Sequence, residues 1–229
     1  MTVHILLTGA TRGIGAAIAA RLGNDDATVI GTGSADGDLS DPATPVRLWA
    51  DALDRLDGRI DVLINNAGVF EAAPIDLPDA EWSAAWNRTM QVNLTASAEL
   101  CRFAVQHFLT NEGGRIVNVA SRAAYRGDSP AHWHYAASKA GMVAMTKTIA
   151  RGYATRNILA FAICPGFTMT GMADEYLSSR GGDKLLADIP LGRVADPAEV
   201  AEVVAFAALN APPSMTGAVL DVNGASYVR

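Results

Sequence analysis

The feature that most constrains this chain is a glycine loop between two segments of opposite habit. Val3–Leu7 is a short apolar run with strand character, and Ile14–Leu22 carries a helical pattern. Thr8-Gly9-Ala10-Thr11-Arg12-Gly13-Ile14-Gly15 joins them. Glycines let a chain turn tightly and let backbone approach a ligand closely. A helix starting there offers unpaired amides and its positive dipole end to a pyrophosphate. The pattern gains meaning from a strand before it and a helix after it, and both are present. A purely structural turn is the alternative.

The rest of the chain repeats the alternation. Strands are expected at Val3–Leu7, Ala27–Gly31, Val62–Asn65, Arg115–Ala120, Leu159–Cys164 and Ala218–Val222. Helices are expected at Ile14–Leu22, Val46–Leu56, Asp79–Leu109, Tyr135–Thr155 and Pro197–Ala208. The strands are mostly unbroken apolar runs, as strands buried on both faces are. Strand–helix alternation builds a parallel sheet with helices on both sides, and right-handed crossovers leave few topologies. The expected fold is therefore α/β: a Rossmann-like doubly wound parallel sheet in one domain over residues 1–229. That length, with half the residues hydrophobic, suits one sizeable core. Asp196-Pro197-Ala198-Glu199 looks like a capped helix start. Gly31–Pro45 reads as loop, with one short strand near Gly37–Leu39.

The net charge of −6 argues against a nucleic-acid footprint and against an anionic membrane surface. No apolar stretch reaches the roughly 18 residues of a membrane span. No basic leader precedes the first strand, so a cytoplasmic protein is expected. Cys101 and Cys164 lie in apolar runs and read as buried free thiols. His132-Trp133-His134 has no carboxylate or cysteine cluster beside it, so no metal is expected.

The chemistry centres on Tyr135 and Lys139. Four residues apart on a helix, they share one face. A free phenol titrates near 10, and an adjacent cation pulls that value down. A proton donor works best near the ambient pH. A surface pair without chemistry is the alternative for these two alone. Dinucleotide folds often place an acid about 20 residues past the glycine loop, to bind the ribose. Here the second strand ends Ile30-Gly31-Thr32-Gly33-Ser34, without a carboxylate. Arg12 suits a 2′-phosphate, with Ser34 donating a hydrogen bond. The pattern favours NADP(H); Asp36 folded back onto the loop would favour NAD(H).

Taken together, these motifs resemble the short-chain dehydrogenase/reductase family, in its compact single-domain branch, over nearly the whole length. Thr8-Gly9-x-x-x-Gly13-x-Gly15 resembles its cofactor loop, so Gly9, Thr11, Arg12, Gly13, Ile14 and Gly15 are implied to hold nucleotide. Asp38-Leu39-Ser40-Asp41 resembles the adenine segment, with Asp38 on the base amino group and Leu39 offering backbone. Asn65-Asn66-Ala67-Gly68 resembles the mark behind the cofactor, which implicates Asn65, Ala67 and Gly68. Val92-Asn93-Leu94 resembles the stretch carrying the tetrad asparagine, and Ser121, Tyr135 and Lys139 match its other members. Pro165-Gly166-Phe167-Thr168-Met169-Thr170 resembles the segment over the nicotinamide, implicating Pro165, Gly166, Thr168 and Thr170.

The resemblance also implies roles. Tyr135 exchanges a proton with the substrate oxygen. Lys139 lowers the tyrosine pKa and bonds the ribose, so both residues also belong to the cofactor site. Ser121 donates to the oxygen, and Asn93 holds a water leading from Lys139 to solvent. A homotetramer, or a homodimer, through the two long helices is implied as well.

Two stretches depart from the family pattern. A helix and most of a strand are missing around Gly33–Pro45, and the last strand is followed by Gly224-Ala225 instead of paired glycines. His132 and Trp133 are expected to line a substrate pocket. Arg122 and Arg126 would meet an anionic substrate or else solvent. Met169–Ile189, with Met172, falls where the family has its substrate lid. The expected activity is NADP(H)-dependent interconversion of a carbonyl and a secondary alcohol in a small molecule. Similarity to 3-oxoacyl carrier-protein reductases suggests 3-oxoacyl thioester reduction. The alternatives are an NAD-dependent secondary-alcohol or sugar dehydrogenase, and a catalytically silent cofactor-binding regulator.

Overall fold

The computed structural model describes residues 2–169 and 182–229. They form a six-stranded, all-parallel sheet in the order β2-β1-β3-β4-β5-β6. The strands are β1 Val3–Thr8, β2 Ala27–Thr32, β3 Val62–Asn65, β4 Gly114–Val119, β5 Ile158–Pro165 and β6 Val219–Val222. The helices are α1 Gly13–Leu22, α2 Thr44–Arg55, α3 Asp79–Met90, α4 Ala96–Leu109, α5 Ala123–Arg126, α6 Trp133–Tyr153, α7 Gly182–Ala187 and α8 Pro197–Ala205. A π-helical turn, Gln91–Thr95, joins α3 to α4.

Alternate strand residues fill two separate cores, because successive side chains of a strand point to opposite faces. Ile5, Leu7, Val117, Val119, Phe161 and Ile163 pack with Ile18 of α1 and Val200 and Val204 of α8. Leu6, Leu63, Ile116 and Ile158 pack on the other face with Trp49 of α2, Phe108 of α4 and Ile149 of α6. All eight residues of β5 are buried. The doubly wound expectation therefore holds, with all six strands within a residue or two of their expected limits.

Gly37–Leu39 is not a strand. Residues 33–43 run as turns, and β2 is the edge of the sheet. Short local bonds organise this stretch instead: the Asp36 carboxylate accepts from the Gly33 amide, Asp38 from Ser40, and Asp41 from Ala43. Helix α8 starts as its sequence indicates, with a reciprocal capping box between Asp196 and Glu199. Gly224-Ala225 does turn, but Ala225 takes φ 63°, a left-handed conformation that disfavours a Cβ.

A buried amide network fastens the sheet centre to α6. Asn65 and Asn118 are cross-strand partners, and Asn65 Nδ2 donates to Asn118 Oδ1 at 2.9 Å. Asn118 Nδ2 donates to Thr146 Oγ1 at 2.8 Å. Truncating one member leaves the others buried and unpaired. Asn118→Ala is expected to lower unfolding free energy by about 3 kcal/mol, measured by urea denaturation.

Candidate active site

In open parallel sheets, ligands bind beyond the carboxyl ends of the strands, where the strand order reverses. Here β1 pairs with β2 on one side and β3 on the other, so the reversal lies between β1 and β3. The sequence-expected residues gather at that end. Gly9–Gly15 follow β1, Ala67 and Gly68 follow β3, Ser121 follows β4, and Gly166–Thr168 follow β5.

The glycine loop is shaped for a ligand that needs backbone. Gly9 and Gly13 have φ of 69° and 53°. A Cβ on Gly15 would stand 1.8 Å from the Gly9 carbonyl oxygen, so only glycine fits. Helix α1 begins without a side-chain cap and without an acid in its first turn. Among the described residues no side chain caps its leading amides, which fits a nucleotide diphosphate. Asn66 supports the loop from behind, donating to Thr8 O at 3.2 Å and Gly9 O at 3.0 Å. Thr8 Oγ1 accepts from the amides of Asn66 and Ala67.

At the end of β2 the neighbours explain the missing acid. A Cβ on Gly33 would lie 2.4 Å from Thr11 Cγ2, leaving no room for a side chain. A carboxylate arrives by another route: Asp36 folds back and accepts from the Gly33 amide at 2.7 Å. Arg12 and Ser34 are both exposed. Asp38 accepts from Ser40 N, which holds its carboxyl below the ordinary range. Leu39 O accepts from Gln91 Nε2 at 3.5 Å, joining the expected adenine segment to the π-helical turn.

Asn65 lies elsewhere than expected. Its side chain is 1% exposed and points into the amide network with Asn118, so it supports the strand end instead of facing the cofactor cleft. Thr168 is buried, with Oγ1 donating to Gly166 O at 3.2 Å. A Cβ on Gly166 would lie 2.8 Å from Asn223 Cβ, so Pro165-Gly166 can pass beside the end of β6 only as it stands. Thr170 and Met172 lie outside the described residues, as does most of Met169–Ile189.

Asn93, Ser121, Tyr135 and Lys139 converge. The π-helical turn carries Asn93, a kind of distortion frequent at functional sites. Asn93 Oδ1 accepts from Val69 N at 2.8 Å, and Nδ2 donates to Val69 O at 3.0 Å and Ser138 Oγ at 3.3 Å. A Cβ on Gly68 would stand 3.3 Å from Asn93 Oδ1 and 3.5 Å from Lys139 Nζ, so the bare glycine lets both groups close in.

Lys139 is 4% exposed, and its ammonium donates to Val119 O, the last carbonyl of β4, at 2.9 Å. Burial pulls its pKa down to about 8. Ser121 is 9% exposed, and its Oγ accepts from Ala123 N at 3.1 Å. The expected lowering of the tyrosine by Lys139 is not what the geometry gives. Burial pushes the Tyr135 phenol up to about 12, with the adjacent Ser121 hydroxyl pulling the other way. The ammonium donates to Val119 O and stands 5.8 Å from the tyrosine ring centre.

An aromatic wall completes the mouth. Phe70 stacks on His132 at 3.9 Å and meets Tyr135 edge-on at 4.8 Å. Ser129 Oγ holds His132 Nδ1 at 2.7 Å. His132 and Tyr135 thus share Phe70 as a neighbour, and Trp133 is 52% exposed. Nothing in the sequence pattern marked Phe70. Arg122 and Arg126 both reach Asp188; Arg122 is buried with its guanidinium over the Phe167 ring, while Arg126 is exposed. Among the described residues no cluster of His, Cys, Asp or Glu could hold a metal ion, and no helix is long and apolar enough to cross a membrane.

Known proteins resemble this chain over nearly its whole length. The profile of a family described as "Enoyl-(Acyl carrier protein) reductase" matches residues 31–225. The chain is 34% identical to the 3-oxoacyl-[acyl-carrier-protein] reductase FabG of Vibrio cholerae, covering 97% of this chain and 96% of that protein. It is 35% identical to the FabG of Thermotoga maritima (96% and 95% covered) and 31% identical to that of Escherichia coli (97% and 96%).

The buried lysine has a measurable signature. A base whose pKa drops from 10.5 to about 8 on folding leaves the unfolded chain holding more protons between those values. Stability from this group therefore rises with pH across that window, and the full penalty is present below it. Lys139→Met is expected to stabilise the nucleotide-free protein at pH 7, with the gain shrinking as pH rises from about 8 towards 10.5, read by chemical denaturation across pH.

Proposed function

The chain belongs to the short-chain dehydrogenase/reductase family of NAD(P)-dependent oxidoreductases, and from that premise we propose that it reduces the keto group of a 3-oxoacyl thioester. The observation that carries this reading is the Tyr135–Ser121 pair beside a buried ammonium. A ketone oxygen accepts two hydrogen bonds, and these two adjacent hydroxyls are suited to supply them. Burial keeps the Tyr135 phenol in its protonated form at neutral pH, the form that the reductive direction consumes.

A bound nicotinamide nucleotide supplies the hydride. Gly9, Thr11, Gly13, Ile14 and Gly15 hold its diphosphate, Asp38 and Leu39 its adenine side, and Ala67, Gly68, Pro165, Gly166 and Thr168 frame its other half. Lys139 bonds the ribose and Asn93 keeps the path from Lys139 to solvent open. Tyr135 passes its proton to the substrate oxygen as negative charge develops there. Ser121 steadies that oxygen, while Phe70, His132 and Trp133 bound the acyl side of the mouth.

NADP(H) is the preferred nucleotide in this reading, supported by Arg12, exposed at the start of α1, and by Ser34, exposed just past β2. One observation favours NAD(H): the Asp36 carboxylate at the Gly33 amide would repel a 2′-phosphate. The two unpaired thiols fit a reducing cytoplasm. A homotetramer or homodimer through α3–α4 and α6 follows the family pattern.

The test is a panel of 3-oxoacyl, enoyl-acyl, simple-ketone and sugar substrates with both reduced nucleotides. Oxidation of NADPH by the 3-oxoacyl thioester, and not by the enoyl one, supports the proposal; turnover of the enoyl thioester alone contradicts it. Tyr135→Phe should lower kcat at least ~1,000-fold while nucleotide still binds, and near-normal turnover would remove Tyr135 from the chemistry. Arg12→Ala should weaken NADPH binding about 10-fold and leave NADH binding within about threefold, by fluorescence titration. Tighter NADH than NADPH binding in the unaltered chain would reverse the cofactor assignment.

A further inference from the structure

Asp188 lies directly after α7 and accepts from two guanidiniums. Arg126 Nη1 reaches its Oδ2 at 2.5 Å and Arg122 Nη1 at 3.4 Å. The two arginines differ in what else they touch. Arg126 is exposed and also donates to Ser226 O at 3.2 Å. Arg122 is 9% exposed, and three contacts bind it to the catalytic surroundings. It follows Ser121 in the chain. Its amide donates to Pro165 O at 2.9 Å. Its guanidinium lies over Phe167, 4.9 Å from the ring centre. One buried cation therefore touches both the serine loop and the 165–168 segment, and its charge is answered from α7's end.

We propose that Asp188 is a positioning residue: through Arg122 it locks the Ser121 loop to the Pro165–Thr168 segment, so that the serine and the cofactor-covering backbone hold one fixed relative position. The physical basis is the cost of a buried guanidinium left without its carboxylate. Without Asp188, Arg122 and Arg126 also repel one another. Arg122 would then turn outwards, uncovering Phe167 and freeing both segments. Removal of Arg126 alone leaves the Arg122–Asp188 contact and the Phe167 stack in place. The role differs from that of a substrate-binding arginine, which would keep its guanidinium free for the ligand.

The test is amide hydrogen exchange on the full chain, with Asp188→Asn, Asp188→Glu and Arg126→Ala compared to the unaltered protein. Asp188→Asn is expected to speed exchange at least ~10-fold in peptides covering 121–127 and 165–169, with α1 and β1 unchanged. Arg126→Ala should leave 165–169 protected, and Asp188→Glu should restore most of the protection there. Should Asp188→Asn fold poorly, Arg122→Lys carries the test: it keeps the charge but loses the flat face on Phe167, so 165–169 should loosen. Unchanged exchange at 165–169 in these variants, or equal loosening in Arg126→Ala, overturns the proposal.

The kinetic consequence rests on the oxidoreductase reading above: Asp188→Asn should lower kcat about 10-fold, with nucleotide KM within about threefold. A loss confined to nucleotide KM would contradict the positioning role. Absence of turnover in the unaltered chain would count against the oxidoreductase reading, while the exchange pattern still decides the Asp188 lock.

Discussion

A buried ammonium is the constraint on which this structure turns. Lys139 lies almost wholly inside the protein, and its ammonium donates to one strand-end carbonyl, Val119 O. Such a group is expensive to bury and is retained where chemistry needs it. Its cost explains the shape of what surrounds it. Gly68 has no side chain where Lys139 and Asn93 approach. The helix that carries Asn93 widens by a π-helical turn, and the Asn93 amide then fastens itself to Val69 and to Ser138, the neighbour of Lys139.

The sheet supplies the common plane for these groups. Parallel strands end on one side, so segments distant in sequence meet there without any long-range loop. Glycines stand where backbone must come close: Gly15 against the Gly9 carbonyl, Gly33 against Thr11, Gly166 against Asn223. The glycine loop, Tyr135 and the Pro165–Thr168 segment are thus placed together by one architecture, and loop sequences tune what it accepts.

Much of this was legible in the sequence because it rests on local pattern. Unbroken apolar runs located the strands, and Asp196-Pro197-Ala198-Glu199 located a helix start that the structure builds as a reciprocal cap. Tyr135, Lys139, Ser121 and Asn93 were legible as a set through the order of their motifs. What depended on three-dimensional neighbours was not. Asn65 and Asn66 are adjacent in a polar doublet, yet the strand's alternation sends Asn65 into the core and leaves Asn66 to hold the glycine loop. Phe70 and Asp188 carry no motif, since their roles come from rings and charges brought in by other segments. The direction of the Tyr135 shift also escaped the sequence: helical spacing puts a cation nearby, but burial of the phenol is the largest influence on it.

The central claim is that one phenol, one hydroxyl and one buried ammonium face a single reacting carbon at the strand ends. A crystal structure of the chain with reduced NADP and an unreactive 3-oxoacyl analogue examines that arrangement directly. The account predicts the keto oxygen within hydrogen-bond distance of both Tyr135 and Ser121, with Lys139 on the nicotinamide ribose. A nicotinamide ring bound away from Tyr135, or a keto oxygen held by other groups, would contradict it.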